Sequence, residues 1–421
     1  MRILYLVYVQ QKSFELFCSD HRTRSFWVDA LLDSVIKSGN ITIALAVPVN
    51  SNSFQKKQIK DMVLYGLPNP EEHNLFKKVF KRVTNSIENK GINSSVEKVL
   101  LDFKPDIIQI FGSENPFGLI CKQTNIPVVI HIQGYLLIWL NKWFTGISKW
   151  ELIRYSSIKD ILFMRGYLYD YFNFKKRADR EAEILNYCRY YMGRTDFDKQ
   201  VLNVLSPGST YYHCEEAIRK EFLEGSWDFP KGDKIKCVSI LKGTTYKGLN
   251  LLIETAKLIS DNSTISVEFS ICGIAENEKI VKILKRKYKT DFKRLGIKFM
   301  GMLGTDELVN QLCQSNIYIH PSYIENSPNS VCEAMALGMP VIATNVGGVS
   351  SLISNKKEGI LVQEGDPYSL AGAIMDLSFN FSLAINLGIN ARNRALMRHN
   401  PEEIVNRLIG IYNTILSGNG E

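Results

Sequence analysis

The sequence lacks the features of several protein classes. Its eight cysteines form no C-x-x-C pair, so no zinc site is expected and the thiols suit a reducing compartment. No apolar run approaches the roughly 18 residues of a membrane span. No small-residue cleavage site follows the short apolar stretch at the N-terminus, so no signal peptide is predicted. These absences predict a globular, cytoplasmic protein.

Three further absences narrow the function. No glycine occurs in VYVQQK, at the end of the first apolar run, so the G-x-G-x-x-G loop of nicotinamide-dependent dehydrogenases is missing. The net charge of +8 is diffuse and no recognition motif accompanies it, so we expect no nucleic-acid partner. No D-x-D motif or cluster of His and Asp is placed to hold a metal at the phosphates of a bound nucleotide, and no metal cofactor is predicted.

The sequence does contain an alternation of short apolar strands and amphipathic helices along its 421 residues. This pattern and length predict an α/β protein of two doubly wound, Rossmann-like domains that face each other across a cleft. A polar stretch with Pro and Gly marks the boundary. The predicted parts are a first domain at 1–204, a linker at 205–234, a second domain at 235–397 and a helix at 398–421 that packs back on the first domain.

The stretch HPSYIENSPNSVCEAMALGMP at 320–340 contains two carboxylates, Glu325 and Glu333, eight positions apart. Pro328 has no N–H and fits only the first turn of a helix, so a helix is predicted to begin there. Ser327 is its expected N-cap. Glu325 then precedes the helix, and Glu333 lies more than one turn inside it.

Further candidates fall at the carboxyl ends of predicted strands, where open α/β sheets bind their ligands. The cations are Lys242 and Lys247, and the glycines are Gly273 and Gly301. Met302 offers its backbone, and Asn329 and Ser330 offer the N–H groups of the helix start. Lysines and a helix N-terminus suit a diphosphate, and the acceptor-only carboxylates of Glu325 and Glu333 suit sugar or ribose hydroxyls. Together they predict a nucleotide-sugar site.

These motifs resemble those of the retaining glycosyltransferases of family four, which have the GT-B fold. The resemblance rests on the E-x7-E element of Glu325 and Glu333, on KGLNLLIETA at 247–256 and on GDPYSLA at 365–371. It covers about 235–380 firmly. It covers the first domain loosely, through layout and through DIIQIFGSENPFGL.

The resemblance implies a role for each matched residue. Glu325 would contact the donor sugar, Glu333 the ribose hydroxyls and Lys247 the departing diphosphate, and backbone N–H groups across 327–330 would hold sugar and phosphate. The family's usual arginine five residues before that lysine is Lys242 here, which keeps the charge but loses the bidentate fork. Transfer with retention and without a metal follows from the resemblance, with a UDP-sugar preferred to GDP-mannose as donor.

The first domain departs from the family pattern. Where the family often has a histidine near the reacting sugar, this chain has Gln133, and His131 stands two residues earlier on the same strand face. Either Gln133 substitutes as a neutral hydrogen-bonding group, or His131 lies nearer the chemistry, or His131 is an ordinary strand histidine. Arg194 either contacts phosphate or acceptor, or forms a surface pair with Asp196.

Residues 135–180 interrupt the alternation with three of the five tryptophans and an excess of basic over acidic residues. They lie on a membrane interface or shape an acceptor pocket, or they form an aromatic core segment that closes the first domain. The predicted acceptor is a saccharide or a lipid-linked saccharide.

The predicted function is sugar transfer from a nucleotide-sugar donor, in capsule or O-antigen assembly. The first domain would bind the acceptor and the second the donor. The enzyme would be cytoplasmic or peripheral on the inner membrane face. The alternative is a non-catalytic nucleotide-sugar-binding protein, which binds donor without turnover.

Overall fold

The protein divides into two compact units. The computed structural model describes residues 1–9, 11–19, 31–32, 34–36, 41–59, 62–71, 90–162 and 165–418. Unit 1 comprises Met1–Ile138, Phe172–Ala217 and His399–Glu421, and unit 2 comprises Trp139–Tyr171 and Ile218–Arg398. Each unit has its own sheet and its own buried apolar core.

Unit 1 is built on a mainly parallel sheet. Its described strands are β1 (Arg2–Val7), β2 (Thr42–Val49), β3 (Gln55–Ile59), β4 (Met62–Pro68), β5 (Ile107–Phe111), β6 (Val128–His131), β7 (Tyr190–Gly193) and β8 (Thr210–His213). They stand in the order β3-β4-β2-β1-β5-β6-β7-β8, and in this described part only β3 runs antiparallel to its neighbour. The apolar runs of β1, β2, β5 and β6 are buried, as expected for parallel strands covered on both faces.

Helices cover this sheet. Those described in whole or in part within unit 1 are Phe14–Ser19, Lys90–Phe103, Leu136–Asn141, Tyr167–Leu185, Asp196–Leu205 and Pro401–Leu416, with a 3-10 helix at Pro116–Lys122. Helix Pro401–Leu416 lays Ile404, Leu408 and Ile411 into the same apolar cluster as β1 and β2. Its Tyr412 hydroxyl lies 3.1 Å from that of Tyr5. The predicted return of the last helix to the first domain is confirmed.

Unit 2 contains an all-parallel sheet in its described residues. The strands are β9 (Ile235–Ile240), β10 (Val267–Cys272), β11 (Ile297–Gly301), β12 (Ile317–His320), β13 (Val341–Thr344) and β14 (Ile360–Val362). Their order is β11-β10-β9-β12-β13-β14. Since β9 has β10 on one side and β12 on the other, the strand order reverses between β9 and β12. That reversal is the point at which doubly wound sheets bind ligands.

The helices of unit 2 follow the predicted alternation from β9 onward. They are Lys149–Tyr155, Ile158–Leu162, Lys220–Glu224, Leu249–Asn262, Lys279–Tyr288, Thr305–Cys313, Asn329–Leu337, Val349–Leu352, Pro367–Phe379 and Phe381–Arg398, with a 3-10 helix at Thr245–Lys247. Both sheets and their helices confirm the predicted α/β fold class.

The limits of the two units differ from the predicted domain limits. Residues 139–171, expected in the first domain, belong to unit 2, where Trp143 is buried and packs against Tyr246 with ring centroids 5.8 Å apart. The expected linker at 205–234 is packed structure. Its first part supplies β8, and Trp227 in its second part donates to the carbonyl of Ser315 at 2.8 Å.

Helix length and polarity were compared with the needs of a bilayer span. Across the described residues, no single helix is both long and apolar enough to cross a membrane. One pair, Pro367–Phe379 and Phe381–Arg398, meets the length and composition requirement jointly but is bent by 104°.

Candidate functional site

The predicted donor residues gather at the carboxyl edge of the unit 2 sheet, where β9 and β12 are neighbours. Lys247 follows β9 through a 3-10 turn, and Glu325 follows β12 through a short loop. Glu333 lies on the helix Asn329–Leu337 that comes next. Glu325 and Glu333 are both buried, at 5% and 6% exposure, which is unusual for carboxylates without partners.

The helix after Glu325 begins one residue later than predicted. Its first residue is Asn329 and its N-cap is Pro328, which has no side chain able to accept a hydrogen bond, so Ser327 is not the N-cap. The conformation of Pro328, with φ −69° and ψ 114°, is extended, and the ring keeps the chain from turning helical earlier. Ser327 and Pro328 are buried, and Asn329 and Ser330 form the half-buried first turn.

Glu325 is held by a cluster of donors. Its Oε1 atom forms an ion pair with Lys247, lies 3.2 Å from Nε2 of His320 and accepts from Ser322 at 2.9 Å. Burial alone would raise the pKa of Glu325, but Lys247 and His320 outweigh it and lower that pKa below its ordinary value. Glu325 is therefore a carboxylate at neutral pH. His320 and Ser322 were not predicted as site residues, although both lie in the motif that identified Glu325.

Gly248 brings Lys247 to Glu325. Its φ of +79° is left-handed, and a Cβ at this position would lie 2.0 Å from the carbonyl oxygen of Pro321. Only glycine tolerates both the backbone conformation and this close approach. Gly248 thus lets the loop after β9 approach the loop after β12. This close approach positions the Lys247 ammonium group on Glu325.

Glu333 has a cation that sequence reasoning missed. Nε and Nη2 of Arg219 each lie 2.8 Å from Oε1 of Glu333, and Nη1 donates to Thr305 at 3.2 Å. Burial raises the pKa of Glu333 to about 7, although Arg219 opposes the shift. Arg219 lies in the stretch predicted as a linker, where a lone arginine carries no signal.

The two carboxylates share one property. Among the described residues, every hydrogen bond and ion pair of the Glu325 and Glu333 side chains involves Oε1. Each Oε2 keeps its acceptor capacity for another group. Since carboxylate oxygens only accept, the group that each Oε2 binds must donate, as hydroxyls do.

The remaining donor-site candidates lie on the neighbouring strand ends. Gly273 has φ +86°, and its N–H donates to the carbonyl of Gly301 at 2.7 Å. A Cβ on Gly273 would lie 2.3 Å from the carbonyl oxygen of Leu241, so this glycine is required by the fold. The side chains of Met302 and Lys242 are exposed, and within the described chain no ion pair joins Lys242 to a carboxylate.

The first-domain candidates meet at another unpredicted residue, Glu216. In unit 1 this buried carboxylate accepts from Nε2 of Gln133, lies 3.1 Å from Nη1 of Arg194 and 3.8 Å from Nε2 of His131. Arg194 is only 2% exposed, so the surface pair that was one alternative for it is wrong. Burial lowers the pKa of His131, which favours the neutral ring. His131 and Gln133 thus share one partner.

Glu181 supports the loop that follows Gln133. Its carboxylate accepts from the Ser113 hydroxyl at 2.6 Å and from the N–H of Leu137 at 3.1 Å, and it is fully buried. Burial raises the pKa of Glu181 to about 7, against these two hydrogen bonds. The residue therefore titrates near neutral pH in the folded protein.

This titration predicts a pH-dependent stability. Between pH 4.5 and 7 the folded state keeps a proton on Glu181 that the unfolded state has released, so stability falls as pH rises through that window. Relative to Glu181→Gln, the wild type should lose about 3 kcal/mol between pH 4.5 and 8. Urea unfolding at both pH values measures it. Glu183→Gln, two residues along in an exposed pair with Lys122, is the control and should show no such change.

Unit 2 also contains a cavity away from these residues. A cavity of about 680 Å³ lies at the amino ends of β9, β10 and β11, between Lys234, Glu268 and Lys298, and none of the predicted site residues lines it. Among the described residues, no group of three or more His, Cys, Asp or Glu side chains is arranged to hold a metal ion. The candidate site is therefore the strand-end cluster around Glu325 and Glu333.

Comparisons with known proteins point to the same part of the chain. Residues 232–380 match the family model described as glycosyl transferases group 1. The chain is 27% identical over 170 residues to the capsular polysaccharide biosynthesis glycosyltransferase CapM of Staphylococcus aureus, covering 40% of this chain and 43% of that protein. It is 28% identical over 160 residues to the Escherichia coli UDP-Gal:alpha-D-GlcNAc-diphosphoundecaprenol alpha-1,3-galactosyltransferase, covering 38% and 40%. The matches thus span less than half of these relatives' length.

The fold likeness extends over the whole chain. Sucrose-phosphate synthase from Thermosynechococcus elongatus superposes with a TM-score of 0.67 over 99% of this chain and 100% of that one, at 16% identity. At this identity the likeness concerns the fold alone. Residues 232–380 are thus similar to the group 1 glycosyltransferases, and the chain has the GT-B fold.

Proposed function

We propose that this protein transfers a sugar from a nucleoside diphosphate sugar to an acceptor hydroxyl in the synthesis of a cell-surface polysaccharide. The observation that carries the proposal is the pair of buried carboxylates at the β9–β12 reversal, each held at Oε1 by a cation and each with Oε2 available. A ligand with hydroxyls at two places and negative charge between them fits this arrangement. A nucleotide sugar has its ribose, its diphosphate and its sugar in that order.

The assignment of parts is the one that the family resemblance implies, and the positions of the side chains support it. Glu333 binds the ribose hydroxyls, Glu325 binds a hydroxyl of the donor sugar, and the first turn of the helix Asn329–Leu337 offers N–H groups to the distal phosphate. Lys247, already desolvated against Glu325, lies where it can share its charge with the phosphate. Stabilisation of charge on the departing diphosphate is the largest catalytic contribution expected at such a site.

The finer parts of the proposal rest on the family resemblance. Transfer proceeds with retention, as the resemblance implies. It proceeds without a metal, because Lys247 and the helix N-terminus supply positive charge at the phosphates. The acceptor is a lipid-linked saccharide, which agrees with the substrate in the name of the E. coli relative. That name also favours UDP as the nucleotide, with a GDP-mannose-dependent mannosyltransferase as the alternative. Contact with the cytoplasmic face of a membrane belongs to the same proposal.

Thermal unfolding with nucleotides tests the donor site. UDP, GDP, ADP and NAD are compared at a hundred times their dissociation constants, where a specific ligand stabilises the folded state by about 2.7 kcal/mol. We expect one nucleoside diphosphate to raise the unfolding temperature and Glu333→Gln to reduce that rise. Glu268→Gln is the matched control. Glu268 is also ion-paired, but it lies at the amino end of β10, away from the site at the carboxyl ends of the strands.

The outcomes separate the candidate functions. Stabilisation by a diphosphate, with turnover of the corresponding sugar donor, supports the transferase. Stabilisation by a diphosphate, with neither sugar transfer nor slow hydrolysis of the donor, supports the non-catalytic binding protein instead. Stabilisation by NAD alone, or by no nucleotide, contradicts both.

A further inference from the structure

The segment from Lys149 to Ile161 is anchored to one stripe of a neighbouring helix. Lys287 lies 3.0 Å from Glu151, and Lys279 lies 3.0 Å from Asp160. These lysines are eight residues apart on the helix Lys279–Tyr288, so they lie about two turns apart on roughly the same side. The two short helices Lys149–Tyr155 and Ile158–Leu162 therefore lie along one helix of unit 2.

This anchoring uses up the acidic side chains of the segment. Glu151 and Asp160 both turn inward to the lysines, and Leu152 is fully buried in the unit 2 core. Arg286 adds a hydrogen bond from Nη1 to the carbonyl of Tyr155. The carboxylates on the inward side of the segment are thus neutralised by these lysines. They do not offset the positive charge of the basic residues on the outward side.

The outward side is apolar and cationic. Trp150 is 77% exposed and Ile158 is 75% exposed, and Ile153 and Ile161 are exposed beside them. Within the described residues, no ion pair joins a carboxylate to the basic side chains of this side. We call this side the interfacial face, formed by Lys149, Trp150, Ile153, Arg154, Ile158, Lys159 and Ile161.

We propose that the interfacial face binds the surface of a bilayer that contains anionic lipids. A tryptophan and three isoleucines can enter the boundary between headgroups and acyl chains, where amphipathic helices bury their apolar side. The three basic residues then lie at headgroup level, where each is attracted to anionic lipid. Charge complementarity therefore selects an anionic membrane over a neutral one.

The inference deepens the membrane contact of the proposed function by assigning it to one surface and one lipid charge, and vesicle binding tests it separately from sugar transfer. The face belongs to unit 2, to the same compact unit as Glu325 and Glu333, although the sequence pattern had placed these residues in the first domain. Binding would hold the donor-binding unit at the surface where lipid-linked molecules lie. Trp139 and Trp143 lie outside this segment and pack on Tyr246, so they take no part in the interfacial face.

Vesicle sedimentation tests the proposal with the full chain and no nucleotide. Vesicles of equal parts phosphatidylglycerol and phosphatidylcholine are compared with phosphatidylcholine alone, at low and high salt. We expect binding to the anionic vesicles that weakens with salt. Trp150→Glu with Ile158→Glu removes apolar insertion, and Lys149→Glu with Lys159→Glu reverses two charges. Each pair should lower the partition coefficient by at least about tenfold, given about 1 kcal/mol per basic residue near the surface.

The control is Phe379→Glu with Met397→Glu, two equally exposed apolar residues elsewhere in unit 2, which should leave vesicle binding unchanged. Unfolding temperatures show that each variant is folded. Equal binding by wild type and both face variants overturns the proposal, as does binding to neither vesicle. Dimerisation that depends on Trp150 and Ile158, with no vesicle binding, would identify a second copy as the occupant and also overturn it. A failed transfer assay alone leaves the vesicle result unaffected.

Discussion

Lys247→Met is expected to lower the rate of sugar transfer by about 10²–10³-fold, the effect of removing one preorganised charge from a departing group. Lys247 is the cation that Gly248 positions on Glu325, and its side chain is largely buried. Methionine keeps most of the side-chain volume, so the loss falls on charge. The measurement is kcat with the donor whose nucleotide stabilises the protein.

The control for this substitution lies on the following helix. Lys257 is exposed and pairs with Asp261 in the next turn, so Lys257→Met should leave kcat within twofold of the wild type. The assignment of Lys247 to the diphosphate would be wrong if kcat stayed unchanged while the variant remained folded. It would also be wrong if only the Michaelis constant rose, since that indicates binding in the ground state alone.

Arg219→Met is expected to destabilise the protein by about 3 kcal/mol and to weaken nucleotide binding. The substitution leaves the Glu333 carboxylate buried without its cation, and an uncompensated buried charge is costly. The pKa of Glu333, already raised to about 7 by burial, should rise further, so that less carboxylate is available to ribose hydroxyls. Denaturant unfolding measures the stability, and calorimetric titration with UDP or GDP measures the binding.

A double substitution separates the two effects. Arg219→Met combined with Glu333→Gln removes both charges, so most of the lost stability should return while nucleotide affinity stays low. Lys220→Met is the neighbouring control, because Lys220 and Glu224 are exposed and contribute little. If the double variant is as unstable as Arg219→Met, the arginine acts through packing, and the proposed charge pairing is not its role.

Most of the strands could be predicted because parallel strands covered on both faces must be apolar throughout. The segments ILYLV, IALAV and IIQIF in unit 1, and IYIH and VIAT in unit 2, read as nearly continuous apolar runs. The edge strand β3 was missed because Gln55–Ile59 is polar and solvent-facing, and an edge strand needs no apolar face. The short β14 carries too few residues for a periodic signal.

The carboxylates of the site could also be predicted, since the sequence of one short motif determines where they lie. Glu325 and Glu333 flank a proline that forces the helix to start between them, and this requires no knowledge of the rest of the fold. Their partners could not be predicted in the same way. Arg219 lies 114 positions from Glu333, and Glu216 lies 83 positions from Gln133.

The amino-acid order alone thus specified the apolar strands, the alternation that makes two doubly wound sheets, and the positions of Glu325 and Glu333. These depend on interactions within one turn, one strand or one loop. The tertiary structure decided which cation meets each carboxylate, which unit receives residues 139–171, and which side of that segment faces outward. Those outcomes depend on side chains that are distant in sequence and meet only when packing removes them from water, where a buried charge must find a partner.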